Sequence, residues 1–270
     1  MTEQITTQAV PNESVSGDIV EAGTVTPTPV IRRWSTKKAQ RVDQPAVTAP
    51  ADLPRGHRQK LIGITTIAGG FLTLAGFLVT NWEGSDAGTL GYLDSLAETP
   101  DQSLIAATLL HFGYMGFLPM FLALAIMTRA RWKIVGTIGA IAGLLAATGL
   151  PGALVTDFYD LAIRQTLSAE QAVATSEAAQ ASPLAASFII PSFWGLLVGV
   201  VVAGLAAWRA RFMPWWPVVL MIGAFFFGAA PTVLGGSISG SGMMILMVAV
   251  GVQVLRMTGQ EWATGIRVRS

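Results

Sequence analysis

Cysteine is absent from the 270-residue chain. That excludes structural disulfides, thiolate metal centres, iron–sulfur ligation and thioether attachment of haem. Charge is scarce as well: charged residues make up 12% of the chain, where a soluble domain carries about 25%. Histidine occurs twice, as His57 in a polar region and His111 in an apolar one, so no haem can sit between two histidines inside an apolar bundle. The chain lacks a phosphate loop, an HExxH pair, a Ser-His-Asp order and any nucleic-acid signature. The first fifteen residues are polar, with no apolar h-region. No cleavable signal peptide is therefore expected, and the first apolar segment serves as its own insertion signal.

What the chain does have is long uncharged runs. No Lys, Arg, Asp or Glu occurs in 61–80, 103–128, 134–156, 178–207 or 212–255. A helix needs about 20 apolar residues to cross about 30 Å of hydrocarbon, so each of the first four runs is one span. The fifth is long enough for two, and the Gly- and Ser-rich stretch 235–242 is the expected division. The expected spans are approximately 61–80, 103–128, 134–156, 183–207, 215–234 and 241–257.

The basic residues orient these spans. Sixteen of the seventeen Lys and Arg lie in the tail, in alternate connections and after the last span. The other connections are acidic, and only Arg164 departs from the pattern. Short basic connections stay cytoplasmic, which places both termini there. Trp132, Trp208, Trp215 and Trp216 mark the inner boundary and Trp82 the outer one. The expected fold is all-α: an integral membrane bundle of six helices over 59–257, with a short cytoplasmic tail at 258–270. Ahead of it, 1–58 is rich in Thr, Val, Pro, Gln and Glu without periodicity, and reads as a disordered tail. A basic cluster around Trp34 (Arg32, Arg33, Lys37, Lys38 and Arg41) reads as a solvated linker, because no amphipathic helix accompanies it. The bias toward Ala, Gly and Arg, with thirteen Arg to four Lys, suits a bacterium with GC-rich coding and an inner-membrane location.

The outer connections carry helical signals. Leu90, Leu93 and Leu96 recur every three residues, as in a short helix lying on the bundle. Thr99-Pro100-Asp101-Gln102 and Ser168-Ala169-Glu170-Gln171 have the pattern of capping boxes, and Ser182-Pro183 opens the fourth span. Inside the spans, Gly139 and Gly143, like Gly195 and Gly199, have the spacing that lets helices approach closely. Pro151, Pro191 and Pro231 fall at similar height in consecutive spans, where helix breaks can frame an outward-facing cavity.

Polar or unusual groups gather in the outer half: His111, Tyr114, Asp157, Tyr159, Asp160, Arg164 and Trp194. His111 is the one titratable side chain within a span, and such a group is a candidate for function. Arg164, four residues after Asp160, is placed for an i,i+4 pair. None of these residues is assigned as catalytic, and neither a metal site nor a cofactor is expected. The bilayer is the expected environment, with other membrane proteins or a second copy as partners and no nucleic acid. Three functions fit: an accessory or structural subunit, a small transporter or ligand-binding protein with an outward cavity, and an enzyme at the outer interface. The lack of a charged relay inside the spans favours the first, and the lack of a buried carboxylate there argues against ion-coupled transport. An enzyme would use Asp157, Asp160 and His111, and nothing in the sequence demands it.

A chain without cysteine permits a clean topology test. With Gln180→Cys, a membrane-impermeant maleimide is expected to label intact cells. With Arg131→Cys, labelling is expected only after permeabilisation, and the reverse order would invert the topology.

Overall fold

The computed structural model describes residues 55–83, 87–228 and 230–268. These belong to one compact unit, Ala49–Ser270. The expected tail lies outside the described residues except for 55–58, where His57 and Arg58 already open the first helix. Ten helices follow among the described residues: α1 (His57–Val79), α2 (Gly88–Glu98), α3 (Pro100–Met115), α4 (Phe117–Thr128), α5 (Lys133–Thr166), α6 (Ala169–Gln180), α7 (Pro183–Arg209), α8 (Trp216–Phe227), α9 (Val233–Arg256) and α10 (Gly259–Thr264).

Five segments are long and apolar enough to cross a membrane: α1, the α3–α4 pair, α5, α7 and α9. The burial pattern is that of a bundle in lipid. On α1 the buried positions are Gln59, Gly63, Thr66, Gly69, Gly70, Thr73 and Gly76, while Leu61, Ile64, Phe71 and Leu78 point outward. Large apolar side chains face the surroundings and small ones face the neighbours, because lipid offers no hydrophobic reward for burying leucine. Buried hydroxyls return to their own helix: Thr66 donates to Ile62 O at 2.7 Å, Thr73 to Gly69 O at 2.9 Å and Ser192 to Phe188 O at 2.6 Å. These three hydroxyl donors are thereby satisfied at depth.

Two antiparallel pairs dominate the packing, α1 with α9 and α5 with α7. In the second pair Gly139, Gly195 and Gly199 of the expected packing motif face the partner helix, while Gly143 faces the ring of Phe121 in α4. Gly199 sits so close that an added Cβ would lie 2.6 Å from the Cα of Gly143. Gly139 faces Ala203, and Gly195 faces the carbonyl of Ala142. These faces are used within the chain. The α3–α4 segment lies between the pairs and breaks at Gly116, which packs against Gly69 of α1. Pro119 adds to the break, since it cannot donate to the carbonyl of Met115 one turn earlier.

The last part of the bundle differs from expectation. The stretch 235–242 is helical, buried within α9 at five of its eight positions. Its glycines seat neighbours instead of dividing spans: Gly236 lies under Trp82, Gly240 against Phe77 and Gly242 against Ala224. The division falls earlier, between α8 and α9, and Pro231 occupies that connection instead of kinking a helix interior. The 12 residues of α8 cover about 18 Å, which is short of a full crossing.

Both ends of the described unit meet at one end of the bundle. Gln59 donates to Val254 O and Met257 O, each at 2.8 Å, and Arg55 Nε donates to Met257 O at 3.1 Å. Helix α10 docks there behind a true capping box, with Thr258 and Glu261 exchanging bonds and Arg129 donating to Trp262 O. At the opposite end lie α2 and α6. Helix α6 opens with the expected capping box of Ser168 and Gln171. The box expected at Thr99 does not form, because Gln102 turns away to donate to Val79 O at the end of α1, at 2.6 Å.

Substituting Gly199→Val should force the α5–α7 backbones apart and lower stability by about 1–3 kcal/mol. Gly152→Ala, where nothing lies within 4 Å of the added atom, should change stability by less than about 0.5 kcal/mol. Thermal unfolding in detergent, followed by near-ultraviolet circular dichroism, measures both.

Candidate functional site

The chain concentrates its chemistry at the α2/α6 end. Helix α5 is 34 residues long, about 51 Å at 1.5 Å per residue. Its C-terminal part therefore rises past a hydrocarbon layer of about 30 Å. Asp157 and Asp160 sit on this part, three residues apart on one face. The short helix α2 lies across them, with Leu93 and Leu96 turned into the bundle and Leu90 outward.

Polar contacts hold α2 on every side. Asn81 Nδ2, just after α1, donates to Ser95 O at 3.1 Å. Arg164 Nε meets Asp94 Oδ1 at 2.6 Å. Thr89 Oγ1 donates to Glu177 Oε1 of α6 at 3.1 Å. At the centre, the Tyr92 hydroxyl donates to Asp157 Oδ1 at 2.7 Å. Burial above all, then the charge of Asp157 and the bond to it, raise the Tyr92 hydroxyl far above the usual tyrosine range. It is a held proton donor.

Two cavities flank this bond. The first, about 200 Å³, is lined by Trp82, Tyr92, Ser95, Ser103, Tyr114 and Asp157 over an apolar floor of Ala106, Ala107 and Leu110. Trp82 is seated with its ring stacked on Phe77 at 6.1 Å between centroids, and Trp82 Nε1 donates to Phe77 O at 3.1 Å. The position under its ring must be glycine, since a Cβ on Gly236 would come within 2.5 Å of it. The second cavity, about 210 Å³, lies on the other side of Tyr92, among Thr156, Asp160, Ser176 and Gln180. There Gln180 Nε2 donates to Ser176 Oγ at 3.3 Å, and Ser176 bonds the buried Asp160. The two carboxylates of one helix face thus serve separate chambers, with Tyr92 as the wall between.

The expected cluster is divided by this geometry. Tyr114 and Asp157 line the first cavity, and Asp160 lines the second. Arg164 pairs with Asp94 of α2 and not with Asp160, because α2 brings a carboxylate closer than its own helix does. His111 lines neither cavity: its Nδ1 donates to Pro151 O at 3.1 Å, tying α3 to α5. A carbonyl only accepts, so Nδ1 carries the proton. Tyr159 and Trp194 are 66% and 59% exposed and face away from the site. The prolines do not frame the cavity, since none of Pro151, Pro191 and Pro231 lines it. Pro151 contributes through its carbonyl alone. Tyr92, Asn81, Ser95, Ser103 and Ser176 join the site without having been singled out, and Trp82, expected only as a marker of the outer boundary, joins them. Tyr92 had a signal, as one of three tyrosines in the chain, set between Leu90 and Leu93 in a segment with a helical leucine period.

The Tyr92–Asp157 bond should show in the response to alkali. Unfolded Tyr92 ionises near pH 10 while the folded chain keeps its proton. The stabilisation is therefore complete below pH 10 and is lost as pH rises above it. Tyr92→Phe should flatten that alkaline loss, measured as the midpoint of urea unfolding between pH 9 and pH 11. Arg164→Gln removes only a half-exposed pair and should cost less than about 1 kcal/mol. No family model, curated protein or solved structure matches the chain, so what the site holds must be argued from its own residues.

Proposed function

We propose that the chain is a six-pass membrane protein with both termini in the cytoplasm, and that it binds a small ligand in the chamber under α2, on the outer side. The cavity carries this proposal. A space of about 200 Å³ with a carboxylate, a held tyrosine hydroxyl and aromatic walls over an apolar floor has the make-up of a ligand site. The distribution of basic residues supports the orientation. The sixth pass is made by α8 with the segment before it, since α8 runs antiparallel to α9, with Gly228 beside Ser239 and Ala224 beside Gly242. Binding is favoured over reaction because neither chamber is lined by a histidine or a lysine, the side chains best suited to move a proton near neutral pH. It is favoured over ion-coupled transport because no charged side chain continues inward from the site.

A second proposal, an accessory subunit for other membrane proteins, draws on a different surface. Between α8 and α9 an apolar groove of about 610 Å³ opens outward past Gly223 and Ser241. Small residues there would let a partner helix approach.

Native mass spectrometry of protein extracted gently from its membrane separates the two. A ligand-bound wild type and an empty Ala107→Phe variant, whose ring fills the floor, are the expected result. An empty wild type in complex with a stoichiometric protein partner would overturn the ligand site and favour the accessory role.

A further inference from the structure

We propose that the chamber beside Asp157 takes a small organic cation, an amine or quaternary ammonium group, neutralised by Asp157 and enclosed by the rings of Trp82, Tyr92 and Tyr114. This rests on the ligand site proposed above and names its chemistry.

Charge selects the sign of the ligand. Among the described residues, the α2/α6 end carries eight carboxylates and a single basic residue, Arg164. Arg164 is taken by Asp94. No basic side chain lies within ion-pair distance of Asp157 among the described residues. Its one charged neighbour along the helix face is Asp160, also an acid. Asp157 is thus a carboxylate on a cavity wall with no positive partner among the described residues. The surrounding field draws cations toward it and repels phosphates and carboxylates.

The rest of the wall selects an organic cation over a hydrated metal ion. Calcium requires six to eight oxygen ligands and magnesium a near-octahedral shell. Asp157 is the one carboxylate on this cavity, and no three metal-binding side chains come together among the described residues. Four aromatic residues, Phe77 among them, and an alanine–leucine floor suit methyl or methylene groups around a charged nitrogen, which gains from lying over aromatic rings. The Tyr92 hydroxyl occupies Oδ1 of Asp157 and leaves the other oxygen to the ligand. The volume of about 200 Å³ has room for roughly seven groups the size of a water molecule. Choline, tetramethylammonium and propylamine fit that limit.

Isothermal titration calorimetry on the full chain in lipid nanodiscs tests the assignment. Its probes are those three cations and 3,3-dimethylbutan-1-ol, which has the shape of choline with carbon in place of the charged nitrogen. Saturable binding of at least one cation is expected, with choline bound at least about tenfold more tightly than its neutral isostere. In Asp157→Asn the amide oxygen still accepts from Tyr92, so the fold is kept and cation affinity should fall by about tenfold or more. Trp82→Leu should weaken binding of the cation several-fold. Equal binding of choline and the isostere would overturn the cation assignment and leave a ligand site standing. Undiminished cation binding by a folded Asp157→Asn would also overturn it. Absence of binding by every probe, to a wild type that unfolds cooperatively, would overturn the cation and the site together. The probe comparison needs no variant, so it decides the matter even if Asp157→Asn fails to fold.

Discussion

Close approach of helix backbones is the constraint on which everything else in this bundle depends. In lipid, burying a leucine against another helix gains little over leaving it among acyl chains, so contact must come from dispersion between closely packed backbones. The chain meets that requirement with glycine, at Gly199 against Gly143, Gly69 against Gly116, and Gly63 against Gly251. A methyl group at any of these would separate two helices. The broad α5–α7 and α1–α9 contacts set the spacing that leaves a chamber between α1, α3 and α5. The site is a by-product of that spacing, roofed by α2.

Much of the architecture was legible because charge and hydropathy report position in a membrane directly. The expected spans at 61–80, 103–128, 134–156 and 183–207 correspond to α1, the α3–α4 pair, α5 and α7. The capping box at Ser168 was legible because its bonds are local and need no tertiary partner. The one at Thr99 failed because Gln102 had a distant carbonyl within reach, at Val79. The stretch 235–242 was misleading for a physical reason. Glycine and serine mean loop in water, but at depth every backbone group must be satisfied by helix, and small residues become a packing face. Hydropathy measures apolar length, not helix length, so the brevity of α8 was hidden in a run that also contains Gly228 and Pro231.

The site was legible in part. Asp157, Asp160 and Tyr114 stood out as polar groups of the outer half. Their separation into two chambers depends on Tyr92, whose partner lies 65 residues away and leaves no local pattern. Arg164 illustrates the same limit: a helical i,i+4 partner at Asp160 was visible, and the one it takes, Asp94, arrives with another element. His111 drew notice as an ionisable group at depth, yet its proton goes to Pro151 O and joins two helices. Its conspicuousness came from its surroundings, not from a reactive role.

The length of α5 bears on how an occupant would arrive. Asp157 stands 24 residues after Lys133, about 36 Å along the helix, and so clears a hydrocarbon layer of about 30 Å. A molecule reaching it is gathered from water and sheds its hydration only at the chamber itself. Its encounter rate is set by diffusion through the field of the acidic rim. That field reaches about 10 Å at 0.1 M salt and about 30 Å at 0.01 M, so the approach of a charged occupant to this end of the molecule would follow the ionic strength of the surrounding water.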